Sequence, residues 1–212
     1  LSYREAMDRY GSDKPDLRFG LELVDLSEAA VASEFKAFRS VLDAGGSVRG
    51  IRVPGGARFS RREIEELEAS AKTYRAKGLA WMKCDEGGLT GGVSKFFGGA
   101  AGEALVAATG LVAGDLLVMV GDQGEVTCTA LGAVRVALGS KLDLIEAGEF
   151  HFLWVHRFPL FERSEEGGEW QAMHHLFTMP DDEDIEHLDS DPGRVRGQLY
   201  DLVCNGVELA SG

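Results

Sequence analysis

The stretch SRREIEELEASAKTYRAKGLAWMKCD, residues 60–85, contains both kinds of secondary structure on which the fold depends. Ser60, followed three residues later by Glu63, is a capping-box pattern that predicts the start of a helix. Apolar residues then recur at helical spacing at Ile64, Leu67, Ala71 and Tyr74. Because the strand-like GLAWMKCD follows directly, this stretch predicts a domain that mixes helices with a sheet.

Strand and helix patterns continue on both sides of this stretch. GLAWMKCD and GLTGGVSKFF are predicted to pair as a hairpin around residues 86–88. LLVMVGD, which begins at Leu116, is a continuous apolar run, typical of a strand buried on both faces. Further strands are predicted in LELVDL and VRGIRVP, and further helices at residues 29–42, 102–109 and 126–138. About five strands and four helices are enough for an independent α+β domain.

The two ends of the chain differ in composition from this domain. Residues 3–10 predict a short amphipathic helix that ends at Gly11, before the turn-rich GSDKPD. Towards the carboxyl end, FHFLWVHRFPLFE and EWQAMHHLFTM predict an antiparallel pair of strands joined by the polar loop RSEEGG. A last strand, QLYDLVCNGVEL, has its Asn-Gly in a turn or a bulge. We therefore predict an inserted domain at residues 21–143 between two segments of one layer, residues 1–20 and 144–212.

Composition and charge restrict the classes of function. The 212 residues include 22 basic and 35 acidic ones, a formal net charge of -13, which predicts a weak binder of nucleic acid. No apolar run of 18 residues or signal-peptide pattern occurs, so we expect no membrane span and a cytoplasmic location. Cys84, Cys128 and Cys204 are scattered, which argues against a structural metal or a disulfide framework and fits a reducing interior.

Four blocks, in this order and at this spacing, resemble the bacterial aspartyl-tRNA synthetases, class II enzymes whose catalytic domain is an antiparallel sheet flanked by helices. The blocks are GSDKPDLRF at 11–19, FLWVHRFPLFE at 152–162, AMHHLFT at 172–178 and YDLVCNGVEL at 200–209. The segment between them resembles the GAD domain that this family shares with an archaeal glutamyl-tRNA amidotransferase subunit. The resemblance implies an α+β chain with a GAD-like inserted domain on part of a class II synthetase antiparallel sheet.

The resemblance also implies an activity. ATP and aspartate would give aspartyl-adenylate, and the aspartyl group would then pass to the 3′ end of tRNA. In this family pattern, His174 matches the histidine that contacts aspartate, and His175 matches the one that helps to position it. Asp201 and Glu208 match the carboxylates that hold ATP with its Mg²⁺, which neutralises phosphate charge while the aspartate carboxylate attacks the α-phosphorus. The implied partners are aspartate, tRNA through regions outside this chain, and a second copy in a full-length homodimer.

Each candidate residue has a structural alternative. On a strand, His174 and His175 would point to opposite faces, so only one could enter a cleft, and both could be structural histidines. Asp201 and Glu208 are seven positions apart and would face opposite ways in an unbroken strand. Their convergence therefore requires a bulge near the Asn-Gly at residues 205–206, and the alternative is two solvated carboxylates. GSDKPD has the alternative of a polar turn.

Two other segments are not predicted to be binding sites. FFGGAAGEALV matches neither GxGxxG nor GxxxxGK[ST], so we reject nucleotide binding there. The acidic run at residues 181–191 lacks the DxDxDG order of a calcium loop and is predicted to be a solvated helix and loop.

The chain departs from the family pattern in three of its blocks. It has HHLFT for HHPFT, WVHRFPL for a WVVDFPL-like block, and NGVELASG for NGYELGGGS. Ala210 and Ser211 place side chains where the family glycines allow the backbone to approach the substrate closely.

The remaining parts of the family's active site are expected outside residues 1–212. These parts are the arginines of motifs 2 and 3, the arginine that reads the aspartate side chain, and the anticodon-binding domain. The chain alone is therefore expected to be inactive, and the choice between aspartate tRNA alone and asparagine tRNA as well stays open. The alternative function is a catalytically dead GAD-domain binding module related to the amidotransferase subunit, which the ASG ending and the net charge favour.

Overall fold

The computed structural model describes residues 1–164, 168–175 and 177–212. The helices are α1 Tyr3–Tyr10, α2 Ser27–Ala32, α3 Lys36–Asp43, α4 Arg61–Thr73, α5 Ala100–Thr109 and α6 Gly124–Lys141. The strands are β1 Leu23–Asp25, β2 Ser47–Val53, β3 Ala80–Asp85, β4 Gly88–Thr90, β5 Leu116–Asp122, β6 Phe152–His156, β7 Phe161–Arg163, β8 Trp170–Ala172, β9 Tyr200–Cys204 and β10 Val207–Ser211. Helices and antiparallel sheets together confirm the predicted α+β class. Among the described residues, no helix is both long and apolar enough to cross a membrane.

The chain forms two compact units. The terminal unit contains Leu1–Ala6, Asp13–Leu17 and Gly148–Gly212, and the central unit contains Met7–Ser12 and Arg18–Ala147. The domain boundaries that we placed after residues 20 and 143 stay a prediction.

The central unit is a five-stranded antiparallel sheet between two layers of helices. The strand order is β1-β2-β5-β3-β4, which places β5 in the middle. Leu116, Val118 and Val120 of β5 belong to the core under α4 and α6. Leu117 and Met119 belong to the core under α2, α3 and α5. The prediction that this apolar strand is buried on both faces is therefore confirmed.

The capping box predicted for α4 is present. The Ser60 hydroxyl accepts a hydrogen bond from the Glu63 backbone N–H, and the Glu63 carboxylate accepts one from the Ser60 backbone N–H. These hydrogen bonds hold the pKa of Glu63 down at about 2. The helix buries Ile64, Leu67 and Ala71, but its last predicted position, Tyr74, follows the helix end and is 49% exposed. The helical spacing therefore predicted three of the four apolar positions as core residues.

Two predicted elements of the central unit differ in length. The helix predicted at residues 29–42 is two helices, because the Ser33 hydroxyl donates to the Ala30 carbonyl and accepts from the Phe35 backbone N–H. The second hairpin strand ends at Thr90, because Gly91 and Gly92 adopt positive φ of +69° and +48°. The hairpin pairing itself is confirmed.

The terminal unit is built on a three-stranded antiparallel sheet of order β10-β9-β6, with β7 and β8 as a separate pair. FLWVHRFPLFE is therefore not one strand: its first half pairs with β9 and its second half with β8. The break occurs where Arg157 adopts a φ of +60° and Pro159 follows. A small core covers one face of the sheet and contains Ala6, Val155, Phe158, Leu199 and Val203.

Candidate active-site face

Asp201 and Glu208 lie on adjacent strands joined by a tight turn. Asn205 and Gly206 adopt positive φ of +52° and +83°, as in the two-residue turns that connect antiparallel strands. Glu208 is paired with Val203, two residues from Asp201. Since paired residues share a face and alternate residues do too, both carboxylates lie on one face. Diagonal neighbours of this kind have Cα atoms about 7–8 Å apart. The required convergence is thus met by the turn, which was one of the two predicted options for this Asn-Gly.

Asp201 is a buried carboxylate with an unused acceptor. It is 6% exposed, and its Oδ1 has no hydrogen-bond partner among the described residues. An ionised carboxylate buried in this way is costly unless a cation or a donor reaches it. Glu208, on the edge strand β10, is exposed. One or two carboxylates combined with phosphate oxygens are the ligands that Mg²⁺ commonly takes, so this pair fits a metal that arrives with ATP.

His174 lies beside the same face of the sheet. Its ring centroid is 5.1 Å from that of Phe158, in an edge-to-face arrangement. Phe158 belongs to one core with Val155 and Val203, and these two valines share the face of Asp201. The structure therefore brings His174 to the side of the sheet where the two carboxylates lie.

The two histidines are not on a strand, in contrast to our prediction. Strand β8 ends at Ala172, because the Met173 backbone N–H donates to the Leu160 carbonyl and the chain bends there. His174 is exposed, while His175 is half-buried and packs 4.8 Å from the ring of Phe177. The alternation argument for their faces therefore does not apply. The HHLFT departure at Leu176, and residues 165–167 of the RSEEGG loop, lie outside the described residues.

Of the two departures at the end of β10, only one changes this face. Ser211 is paired with Asp201 and shares its face, whereas Ala210 is paired with Leu202 on the opposite face. An irregularity between Glu208 and Ala210 shifts the register by one residue. The added methyl group of Ala210 therefore points away from the candidate site.

Asn205 is a structural residue that sequence reasoning missed. Its Oδ1 accepts a hydrogen bond from the His151 backbone N–H at 3.0 Å, and its Nδ2 donates to the Glu149 carbonyl at 2.7 Å. These bonds tie the β9–β10 turn to the segment that enters β6. Asparagine suits this position because it tolerates positive φ better than most residues.

The acidic segment at residues 181–191 is not simply solvated, as we had predicted. Asp184 is 6% exposed and accepts hydrogen bonds from the Arg196 side chain at 2.6 and 2.8 Å. Arg157, at the position where the family block has Asp, lies 3.5 Å from both Asp181 and Glu183. These contacts line an open cleft of about 550 Å³. Sequence reasoning missed them because the two arginines are 15 and 12 residues or more away from their acidic partners.

Replacing Asp184 with asparagine should lower stability at neutral pH and flatten its acid dependence. Arg196 holds the pKa of Asp184 down at about 2, below its usual 3.8. The pair therefore stabilises the fold above pH 4 and loses this contribution as the pH falls from about 4 to about 2. We expect a loss of about 2 kcal/mol at pH 7, typical of a hydrogen bond to a charged group. Urea unfolding across this pH range measures it, with the exposed Asp189→Asn as control; equal losses in both variants would contradict the pairing.

Comparison with known proteins gives the chain relatives of one kind. A family model described as GAD domain matches residues 38–131. Aspartate–tRNA ligases of Lysinibacillus sphaericus and Shouchella clausii are 49% and 47% identical to it over 213 residues. The aspartate–tRNA(Asp/Asn) ligase of Treponema denticola is 48% identical over 215 residues. Each alignment covers 100% of this chain and 36% of the relative.

The predicted resemblance is confirmed by these relatives. The chain contains a GAD domain and is homologous along its whole length to bacterial aspartate–tRNA ligases, of whose length it spans about a third.

Proposed function

We propose that this homologue of one portion of the bacterial aspartate–tRNA ligases supplies part of the site that activates aspartate with ATP in the full-length protein. The observation that carries the proposal is the placing of Asp201 and Glu208 on one face of the β10-β9-β6 sheet. His174 lies on the same side, against Phe158. The relatives support the reaction class, because each is named for ligating aspartate to tRNA.

Each residue of this face has a separate role in the proposal. Asp201, whose Oδ1 is unsatisfied in the described structure, and Glu208 would hold ATP together with Mg²⁺. The metal would neutralise the phosphate charge that otherwise repels the attacking aspartate carboxylate. His174 would donate a hydrogen bond to aspartate, and His175 would help to orient it. The aspartate carboxylate then attacks the α-phosphorus, pyrophosphate leaves, and the aspartyl group passes to the 3′ end of tRNA.

Aspartate-dependent exchange of pyrophosphate into ATP tests the activation step directly. We expect exchange from the full-length protein that contains this chain, only when aspartate and Mg²⁺ are both present. Asparagine and glutamate in place of aspartate provide the specificity controls. Absence of exchange from a folded full-length protein would reject the ligase function. A cytoplasmic homodimer that charges tRNA is the wider setting that we propose for it.

Replacing His174 with alanine should weaken aspartate binding in the same assay. Loss of a hydrogen bond to the charged substrate is expected to raise the KM for aspartate about tenfold. The KM for ATP should stay within about twofold, because His174 is not assigned to the nucleotide. His151→Ala, which removes a partly exposed histidine of the same unit, is the matched control. Equal KM values for aspartate in His174→Ala and the wild type would contradict the role of His174.

The alternative of a catalytically dead GAD-domain binding module is not favoured by a specific observation. The GAD match covers residues 38–131 only, whereas the ligase relatives align with the whole chain. Of the two substitutions in the ASG ending, Ala210 lies on the face away from Asp201. The candidate face therefore differs from the family pattern at this point by Ser211 alone.

A further inference from the structure

We propose that Phe158 is a positioning residue for His174, and so contributes to aspartate affinity without touching aspartate. The proposal rests on the proposed function, in which His174 contacts the substrate. Phe158 is fully buried, and its ring lies edge-to-face with the His174 ring at 5.1 Å. On its other side it packs against Tyr3 of α1, with ring centroids 5.2 Å apart. His174 is itself exposed, so this contact is where the buried core reaches the imidazole.

The backbone around Phe158 is fixed by hydrogen bonds on both sides. Its carbonyl accepts from the Gly197 backbone N–H at 2.7 Å. Two residues later, the Leu160 carbonyl accepts from the Met173 backbone N–H, immediately before His174. Leu160 in turn donates its backbone N–H to the Val195 carbonyl. Phe158 is thus anchored in the core, and the segment that carries His174 is anchored two residues away from it.

A row of rings follows from these contacts, made up of Tyr3, Phe158, His174, His175 and Phe177. Phe158 is the one member of the row that belongs to the buried core. Aromatic pairs with this geometry contribute about 0.5–1.5 kcal/mol beyond the burial of their area. A contact of this size selects one orientation of an otherwise exposed histidine. The imidazole is therefore preorganised on the face of the sheet where aspartate is proposed to bind.

The test is Phe158→Leu in the full-length protein, assayed by pyrophosphate exchange. Leucine keeps an apolar side chain in the core but removes the ring that orients His174. We expect the KM for aspartate to rise about tenfold, with the KM for ATP within about twofold, because a misplaced contact group weakens only its own substrate. Phe59→Leu is the matched control, since Phe59 is a buried phenylalanine of the central unit, 4% exposed. If Phe158→Leu fails to fold, Tyr3→Leu removes the ring behind Phe158 and is expected to give the same pattern at smaller amplitude.

A second readout separates positioning from the proposed function. In the full-length protein labelled with ¹³C at histidine, the His174 ring resonances, assigned by loss in His174→Asn, should shift in Phe158→Leu. The His151 resonances should stay in place and serve as the internal control. Unchanged His174 resonances, or an unchanged KM for aspartate, in a folded Phe158→Leu protein would overturn the proposal. If His174→Ala leaves the KM for aspartate unchanged, the aspartate role of His174 fails, while a resonance shift in Phe158→Leu would still support its positioning by Phe158.

Discussion

Replacing Gly132 with alanine is expected to destabilise the central unit by about 3 kcal/mol or more, because the new methyl group has no space. Gly132 lies in the middle of α6, where the helix passes directly over Gly11. A Cβ at Gly132 would lie 2.7 Å from the Gly11 carbonyl carbon and 3.1 Å from its Cα. Both neighbours are backbone atoms, so no change of rotamer can relieve the overlap. Gly11 in turn has a φ of +67°, which already restricts how its segment can move.

Gly124→Ala, in the first turn of the same helix, is the matched control. A Cβ at Gly124 meets only the Ser47 hydroxyl, at 3.9 Å, and alanine is a better helix former than glycine. Denaturant unfolding followed by far-UV circular dichroism should therefore show a large loss for Gly132→Ala and none for Gly124→Ala. Equal midpoints for Gly132→Ala and the wild type would show that α6 and the Gly11 segment do not pack as closely as described.

The elements that local sequence predicts well are those whose signals lie within one turn or one strand. The capping box of Ser60 and Glu63 fixed the start of α4, and the apolar run from Leu116 predicted a strand buried on both faces. Helix α1 begins and ends where its pattern predicted, with Gly11 directly after it. The split between α2 and α3 was missed, because it depends on the Ser33 side chain replacing helical hydrogen bonds. Burial of that serine cannot be read from its neighbours in sequence.

Contacts between distant residues account for most of what the sequence did not predict. Arg135 is 1% exposed, donates to the Phe19 and Gly20 carbonyls and stacks on the rings of Tyr10 and Phe19. These partners are more than 110 residues away, so no periodicity reveals them. At the candidate site, the sequence supplied the identities of Asp201 and Glu208, but their shared face follows from the β9–β10 pairing. The orientation of His174 likewise depends on Phe158, 16 residues earlier.

Replacing Asp201 with asparagine is expected to abolish most of the proposed aspartate activation while sparing the fold. The substitution keeps the shape of the side chain and removes the charge that would hold Mg²⁺ with ATP. Loss of one electrostatic contact at a reacting phosphate should lower the exchange rate by about 100- to 1000-fold. The same change removes a buried charge whose Oδ1 has no partner among the described residues, so the free energy of unfolding should stay equal or rise by about 1 kcal/mol.

This opposite response of activity and stability distinguishes a binding carboxylate from a structural one. A structural Asp201 that stabilised the sheet would lose stability together with activity, since its role would be to satisfy neighbouring donors. Asp189→Asn, which alters an exposed carboxylate of the same unit, should change neither quantity. Raising the Mg²⁺ concentration should partly restore exchange in Asp201→Asn, because Glu208 on the same face remains available. Exchange at the wild-type rate in a folded Asp201→Asn protein would remove Asp201 from the nucleotide site, and a large loss of stability would assign it to the fold instead.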